Sequence, residues 1–160
     1  MKKLKIFLLL SILLCFGFAL SSEVHAQGVG PKTLEINDVL PDPTTLPTGT
    51  GLGCAFNHDG TRLAVAHEKS PYITIYDTTT TPYTKLSNPT TLPTGSGYGC
   101  AFNHDGTRLA VAHYSSPYIT IYDTTTTPYT KLPNPTTLPT GNGRGCAFNH
   151  DGTKLAVAHG

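Results

Sequence analysis

Three cysteines, Cys54, Cys100 and Cys146, stand 46 residues apart, and everything around them recurs at the same interval. Residues 43–88 and 89–134 differ at five positions, and a third copy runs from residue 135 to Gly160. The match reaches back to Val39-Leu40, which align with Lys85-Leu86 and Lys131-Leu132. A long, strict repeat decides architecture, because units of this kind are supersecondary pieces that bury their apolar faces against their neighbours. The repetitive region is therefore residues 39–160, in units 39–88, 89–134 and a partial 135–160.

Within one unit the strand and turn signals are regular. Residues 54–57 (CAFN) read as a short strand a, and His58-Asp59-Gly60-Thr61 as a turn in which Gly supplies a positive φ. Residues 62–67 (RLAVAH) form strand b, Ser70-Pro71 mark the next turn, and residues 72–77 (YITIYD) form strand c, rich in β-branched and aromatic side chains. A Thr-rich turn leads to a weaker strand d around residues 83–86, and a Pro- and Gly-rich connection follows. No segment keeps a helical period over a useful length. Disorder, the competing reading of so much Thr and Pro, is opposed by apolar residues recurring at strand spacing.

Four antiparallel strands in a unit of 40–50 residues is the period of a β-propeller blade. The faces agree. In strand c, Ile73 and Ile75 share one side while Tyr72, Thr74 and Tyr76 share the other, so neither side is polar. In strand b, Leu63 and Val65 oppose a small-residue side of Ala64 and Ala66, against which an adjacent blade can approach closely. The expected fold class is all-β: propeller blades, four-stranded antiparallel repeats of 46 residues, in an incomplete ring. A β-solenoid is the rival, with coils usually shorter than this unit.

The stretch GCAFNHDGTRLAVAH followed by YITIYD resembles the WD-repeat propeller pattern, in which an aromatic–Asp pair closes strand c. Tyr76-Asp77 and Tyr122-Asp123 occupy that place, and the likeness is to divergent WD-like repeats of exported bacterial and phage proteins. The resemblance implies the fold. The chain lacks Trp, a Gly-His pair before strand a and an Asp in the b–c turn, so the side-chain network built from those residues does not carry over.

The chain reads as d, a-b-c-d, a-b-c-d, a-b. About two and a half blades cannot close a ring that takes at least about four. The expectation is a piece of a longer propeller, with open edges prone to self-association. Ahead of the repeats, Lys2, Lys3 and Lys5 precede an apolar run over residues 6–20, and Val24-His25-Ala26 lies before Gln27. That layout is a secretory signal peptide over residues 1–26, cleaved after Ala26, with residues 27–38 as a lead-in. The apolar run falls short of the roughly 20 residues that span a bilayer. Cys15, between Leu14 and Phe16, lacks a lipoprotein context. The expected place is secreted, periplasmic or cell-surface, with no membrane association after cleavage.

Chemistry is harder to find. A net charge of +1 and a charged fraction of 13% provide no clustered Lys and Arg, so nucleic acid is not an expected partner. Cys54, His58 and His67 are zinc-ligand types, but strand a, a turn and the far end of strand b hold them apart, so no metal is expected. The three mature-chain cysteines are expected as free thiols. Asp59, Asp105 and Asp151 each precede a turn Gly, where Asp is favoured for backbone reasons. No paired carboxylates, catalytic triad or phosphate loop is present, so neither catalytic residue nor cofactor is expected.

Differences between the copies are more informative. Thr50, Ser96 and Asn142 share one slot, and Leu52, Tyr98 and Arg144 another. Glu68 and Tyr114 share a third, Lys69 and Ser115 a fourth, and Ser87 and Pro133 the fifth. The first four slots lie in the d–a connection and the b–c turn, which a meander brings to one edge of the blade. Leu52, Glu68, Lys69, Tyr98, Tyr114, Ser115 and Arg144 are the candidate binding face, for a protein or surface ligand. The alternatives are a fragment of a propeller lactonase or hydrolase, or a product with no independent function. Near-identical units argue against the enzyme, since catalysis needs unlike groups converging.

Overall fold

The computed structural model describes residues 39–160, and the signal-peptide and lead-in readings of residues 1–38 lie outside the described residues. Val39–Gly160 form one compact unit. Ten strands follow in order: β1 (Gly51–Phe56), β2 (Arg62–His67), β3 (Ile73–Asp77), β4 (Thr84–Lys85), β5 (Gly97–Phe102), β6 (Arg108–His113), β7 (Ile119–Asp123), β8 (Thr130–Lys131), β9 (Gly143–Phe148) and β10 (Leu155–His159). They make two four-stranded antiparallel sheets, β1-β2-β3-β4 and β5-β6-β7-β8, and a two-stranded sheet of β9 and β10. No helix occurs among the described residues, and the sheets do not close into a ring.

Strand a differs from its sequence reading. It begins at Gly51 rather than Cys54, with a bulge between Gly51 and Gly53, and ends at Phe56 because Asn57 belongs to the turn. The extra length comes from the Gly-rich stretch, which carries too little β-propensity to be recognised as strand. Asn57 Oδ1 accepts from the Arg62 backbone N–H at 2.8 Å, and Asp59 Oδ1 accepts from the Thr61 N–H at 2.9 Å. Both bonds recur at Asn103 and Asp105 and at Asn149 and Asp151. Gly60 takes φ 72°, as the turn reading requires. The carboxyls of Asp59, Asp105 and Asp151 are held below the ordinary value, chiefly by the Thr hydroxyl two residues on. They shape the turn. Asp77 likewise accepts from the Thr79 N–H and hydroxyl and lies 3.3 Å from Arg62 Nη1.

Packing follows the alternation. The register pairs Ala64 with Ile75 and Ala66 with Ile73, so these four side chains share one face of the first blade. Against that face lie Cys100, Leu109, Val111, Tyr122 and Tyr129 of the second blade. The same arrangement recurs one blade on: Ala110, Ala112 and Ile119 pack against Cys146, Phe148, Leu155 and Val157. The Cys100 thiol approaches the Ala64 carbonyl at 3.5 Å, and the Cys146 thiol approaches the Ala110 carbonyl at 3.6 Å. Tyr76 and Tyr122 tie each blade to the incoming connection through their hydroxyls, which donate to the carbonyls of Thr45 (2.8 Å) and Thr91 (2.9 Å).

Two histidines sit deeper than their sequence position indicates. His67 and His113, at the ends of β2 and β6, are fully buried. Nε2 of each lies 2.9 Å from a buried hydroxyl, Thr74 Oγ1 and Thr120 Oγ1 respectively. His113 Nδ1 lies 3.5 Å from Thr94 Oγ1, while His67 Nδ1 has no partner. Burial lowers both imidazole pKa values from the ordinary 6.5. Above 6.5 both states are neutral and stability is full. As pH falls from there toward the folded values, the unfolded chain takes up protons that the folded one refuses, and stability declines. The turn carboxylates act separately, below their own ordinary 3.8. The urea midpoint is therefore expected to drop between about pH 7.5 and about pH 5.5. In a His67→Gln, His113→Gln double variant, which keeps a hydrogen-bonding side chain but cannot titrate there, that slope flattens. An unchanged slope would show that these rings are not its source.

Candidate functional site

The d–a connection and the b–c turn meet at one end of each blade, as the meander requires. Glu68 N–H donates to the Thr50 carbonyl (3.1 Å), Tyr114 N–H to Ser96 (2.9 Å) and Gly160 N–H to Asn142 (3.1 Å). Thr48 Oγ1 adds a bond to the Ser70 carbonyl at 2.6 Å, and Thr94 Oγ1 one to Ser116 at 2.7 Å. Thr50, Ser96 and Asn142 and the b–c turn residues thus stand on segments fixed to each other by backbone bonds, whereas Leu52, Tyr98 and Arg144, expected in the d–a connection, lie inside β1, β5 and β9, because strand a starts earlier than its sequence signal. Tyr72 and Tyr118 hold φ of 66° and 68° at the start of strand c, and their carbonyls accept from the His67 and His113 N–H groups at 3.1 and 3.0 Å.

Of the seven candidate residues, the structure brings three together. The Arg144 guanidinium carbon lies 5.0 Å from the centroid of the Tyr98 ring. Tyr114, rising from the b–c turn, puts its ring 6.4 Å from Tyr98 at an interplanar angle of 54°. A guanidinium over an aromatic face gains from the ring quadrupole, about 0.5–1 kcal/mol at an exposed site. The result is an amphipathic patch across the second and third blades, with Tyr114 half exposed. Ser115 and Lys69 lie against the connection near Gly95 and Gly49. The Glu68 carbonyl accepts from Ser96 Oγ at 2.8 Å, which links the first blade's turn to the second blade's connection. Leu52 is exposed at the position in the first blade that Tyr98 and Arg144 fill in the others.

A second grouping, at the opposite end, was not anticipated. His58 and His104 have ring centroids 4.4 Å apart, and His104 and His150 5.1 Å, both pairs tilted by 51°. The sequence reading placed His58 in the a–b turn. Three imidazoles form a column because the inner strands come very close. A Cβ at Gly53 would meet the Tyr98 carbonyl oxygen at 2.9 Å, and one at Gly99 would meet Gly145 Cα at 3.1 Å. Identical residues just beyond such strands stack in register. The usable signal was His at 46-residue spacing beside a Gly-bearing inner strand. Asn57, Asp59, Asp105 and Gly106 line a shallow depression beside His58 and His104. Cys54, His58 and His67 remain apart, since Cys54 is inside β1 and His67 pairs with Gly51 at the far end of β2. The described cysteines are free: Cys54 exposed, Cys100 buried and Cys146 between.

Stacked four-stranded antiparallel sheets with shared small-on-large faces define a propeller-like repeat protein. Among solved structures the chain is similar to hydrazine synthase of Kuenenia stuttgartiensis, a β-propeller-containing protein, at a TM-score of 0.54 and 18% identity. The match covers 66% of this chain and 28% of that one, and at such identity it speaks to the fold. No family model and no curated protein matches the sequence.

Proposed function

We propose that this chain is an exported, non-catalytic binding or scaffolding module built of WD-like propeller blades. Its partner, a protein or surface ligand, meets the end of the blades that carries Tyr98, Tyr114 and Arg144. The observation that carries this reading is the convergence of three residues at which the copies differ. Units otherwise near-identical place the Tyr98 ring beside both the Arg144 guanidinium and the Tyr114 ring. Tyr and Arg are the residue types that most often anchor interfaces, because each offers a large, stiff contact surface with a polar tip. The remainder of the structure repeats its a–b turn hydrogen bonds in all three blades, as suits a scaffold.

The test converts the cluster to the first blade's residues and removes the cation: Tyr98→Leu, Tyr114→Glu, Arg144→Leu. Retention of the purified protein on host-cell or cell-wall material is expected to fall at least about tenfold, the loss of one to two anchor residues. The comparison is a His58→Ser, His104→Ser, His150→Ser variant, which alters the opposite end and is expected to bind as before. If the histidine variant loses retention while the triple variant keeps it, the assignment of the face is wrong.

A further inference from the structure

The histidine column at the a–b turns has no part in the binding end proposed above, and its geometry is chemically specific. His58, His104 and His150 are exposed. Each stands between an Asn and an Asp whose side chains are tied to their own turn. Among the described residues the imidazole hydrogen bonds are those of His67 and His113, so the nitrogens of the three turn histidines carry none. Adjacent turns are close. A Cβ on Gly152 would lie 3.3 Å from the His104 backbone nitrogen, and one on Gly106 would lie 3.9 Å from Asn57 Nδ2.

Two imidazoles that share one ion at about 2.0–2.1 Å per nitrogen have ring centres roughly 3.2 Å from it, so about 4.5 Å apart at a right angle and about 5.2 Å at a tetrahedral one. The His58 and His104 ring centres are 4.4 Å apart, and those of His104 and His150 are 5.1 Å apart. Either separation suits a pair. No three ligand side chains among the described residues surround one point, so an ion takes two imidazoles rather than three. The His58–His104 pair also borders the depression lined by Asp59 and Asp105. The described hydrogen bonds of those carboxyls use Oδ1, which leaves Oδ2 of each able to accept from a metal-bound water. Two carboxylates beside two imidazoles favour a cation over an anion.

We propose that His58 and His104 bind one late first-row divalent ion, of the nickel(II) type, between the a–b turns of the first and second blades. Two imidazole nitrogens near a right angle are the protein ligands, and water fills the other positions. Imidazole suits such ions, whereas calcium and magnesium call for oxygen ligands. This set differs from Cys54, His58 and His67, which the strands hold apart. The site uses only the internal step between two blades, and retention at the opposite end does not pass through it.

Calorimetric titration of the tag-free full chain with nickel chloride is expected to show one ion bound per chain. His58→Asn and His104→Asn each weaken that binding at least about tenfold, and His150→Asn changes it by less than about twofold. Circular dichroism checks that each variant keeps its β-structure. The wild type gives a readout that needs no variant. Acylation by diethyl pyrocarbonate, followed by peptide mass spectrometry, slows at His58 and His104 when nickel is added and not at His150. Excess calcium leaves the nickel in place. A wild type that takes up no nickel overturns the inference. So does a folded His104→Asn variant that binds like wild type, protection of His150 instead of His58, or displacement by calcium.

Discussion

Leu109→Ala is expected to destabilise the protein by about 2–5 kcal/mol, and the same change at Leu63 or Leu155 by clearly less. The three leucines occupy one slot of the repeat, so propensity and local sequence are held constant. What differs is the neighbour. Leu109 is completely buried in the cluster it forms with Ala64, Ala66, Ile73 and Ile75 of the blade before it. Among the described residues no sheet lies opposite Leu63 of the first blade, which is partly buried, and no strand beyond β10 covers the groove that Leu155 shares with Ile119 and Ile121. Truncating Leu109 leaves a cavity as well as losing transfer free energy, whereas the other two sites are already partly hydrated. Urea unfolding at low, fixed protein concentration makes the comparison, since association would add apparent stability. Equal losses at all three positions would mean that the blades do not stack as described.

Gly97→Ala and Gly143→Ala are expected to cost about 1–3 kcal/mol or more, while Gly51→Ala is neutral or slightly stabilising. Again one slot of the repeat has three outcomes. A methyl on Gly97 would run into the Tyr72 carbonyl oxygen and sit 3.2 Å from Ala66 Cβ. On Gly143 it would meet the Tyr118 carbonyl oxygen and lie 3.0 Å from the His113 nitrogen. Neither carbonyl can withdraw, because each already accepts the N–H of a buried His and belongs to a Tyr with φ near 66–68°. At Gly51 the nearest atom is Val65 Cγ1 at 3.6 Å, an ordinary contact. Replacing that glycine restricts the unfolded chain and fills no occupied space. Thermal unfolding of the three single variants checks the order, and a Gly51 variant as unstable as the Gly97 one would contradict it.

These pairs also show what could be read in the sequence. The 46-residue period, the b and c strands and the division of each sheet into a small face and a large face were all legible. They rest on alternation and on turn residues, which are local. The early start of strand a was not, because Gly51 and Gly53 are weak strand formers recruited by pairing with β2 across a bulge. The depth of His67 escaped for the same kind of reason: its partner Thr74 is local, but the cover over it is tertiary. Within the candidate site, comparison of the copies selected Tyr98, Tyr114 and Arg144 without showing that they touch. The contact of Arg144 with Tyr98 depends on the closeness of adjacent inner strands, as does the histidine column at the other end.

The near-identity of the first two units has a kinetic meaning. The face that β1–β4 present to β5–β8 is presented almost unchanged by β5–β8 of a neighbouring chain, since the two units have almost the same sequence. Only the short connection, which keeps one blade at high effective concentration beside the next, favours the correct choice. Refolding should therefore partition between a monomeric route and exchanged, interlocked molecules, with the second fraction growing as the protein is concentrated. The few positions that differ do nothing to prevent this, because none of them is buried. Synthesis from the N-terminus, one blade at a time, would supply the order that the repeated sequence itself does not encode.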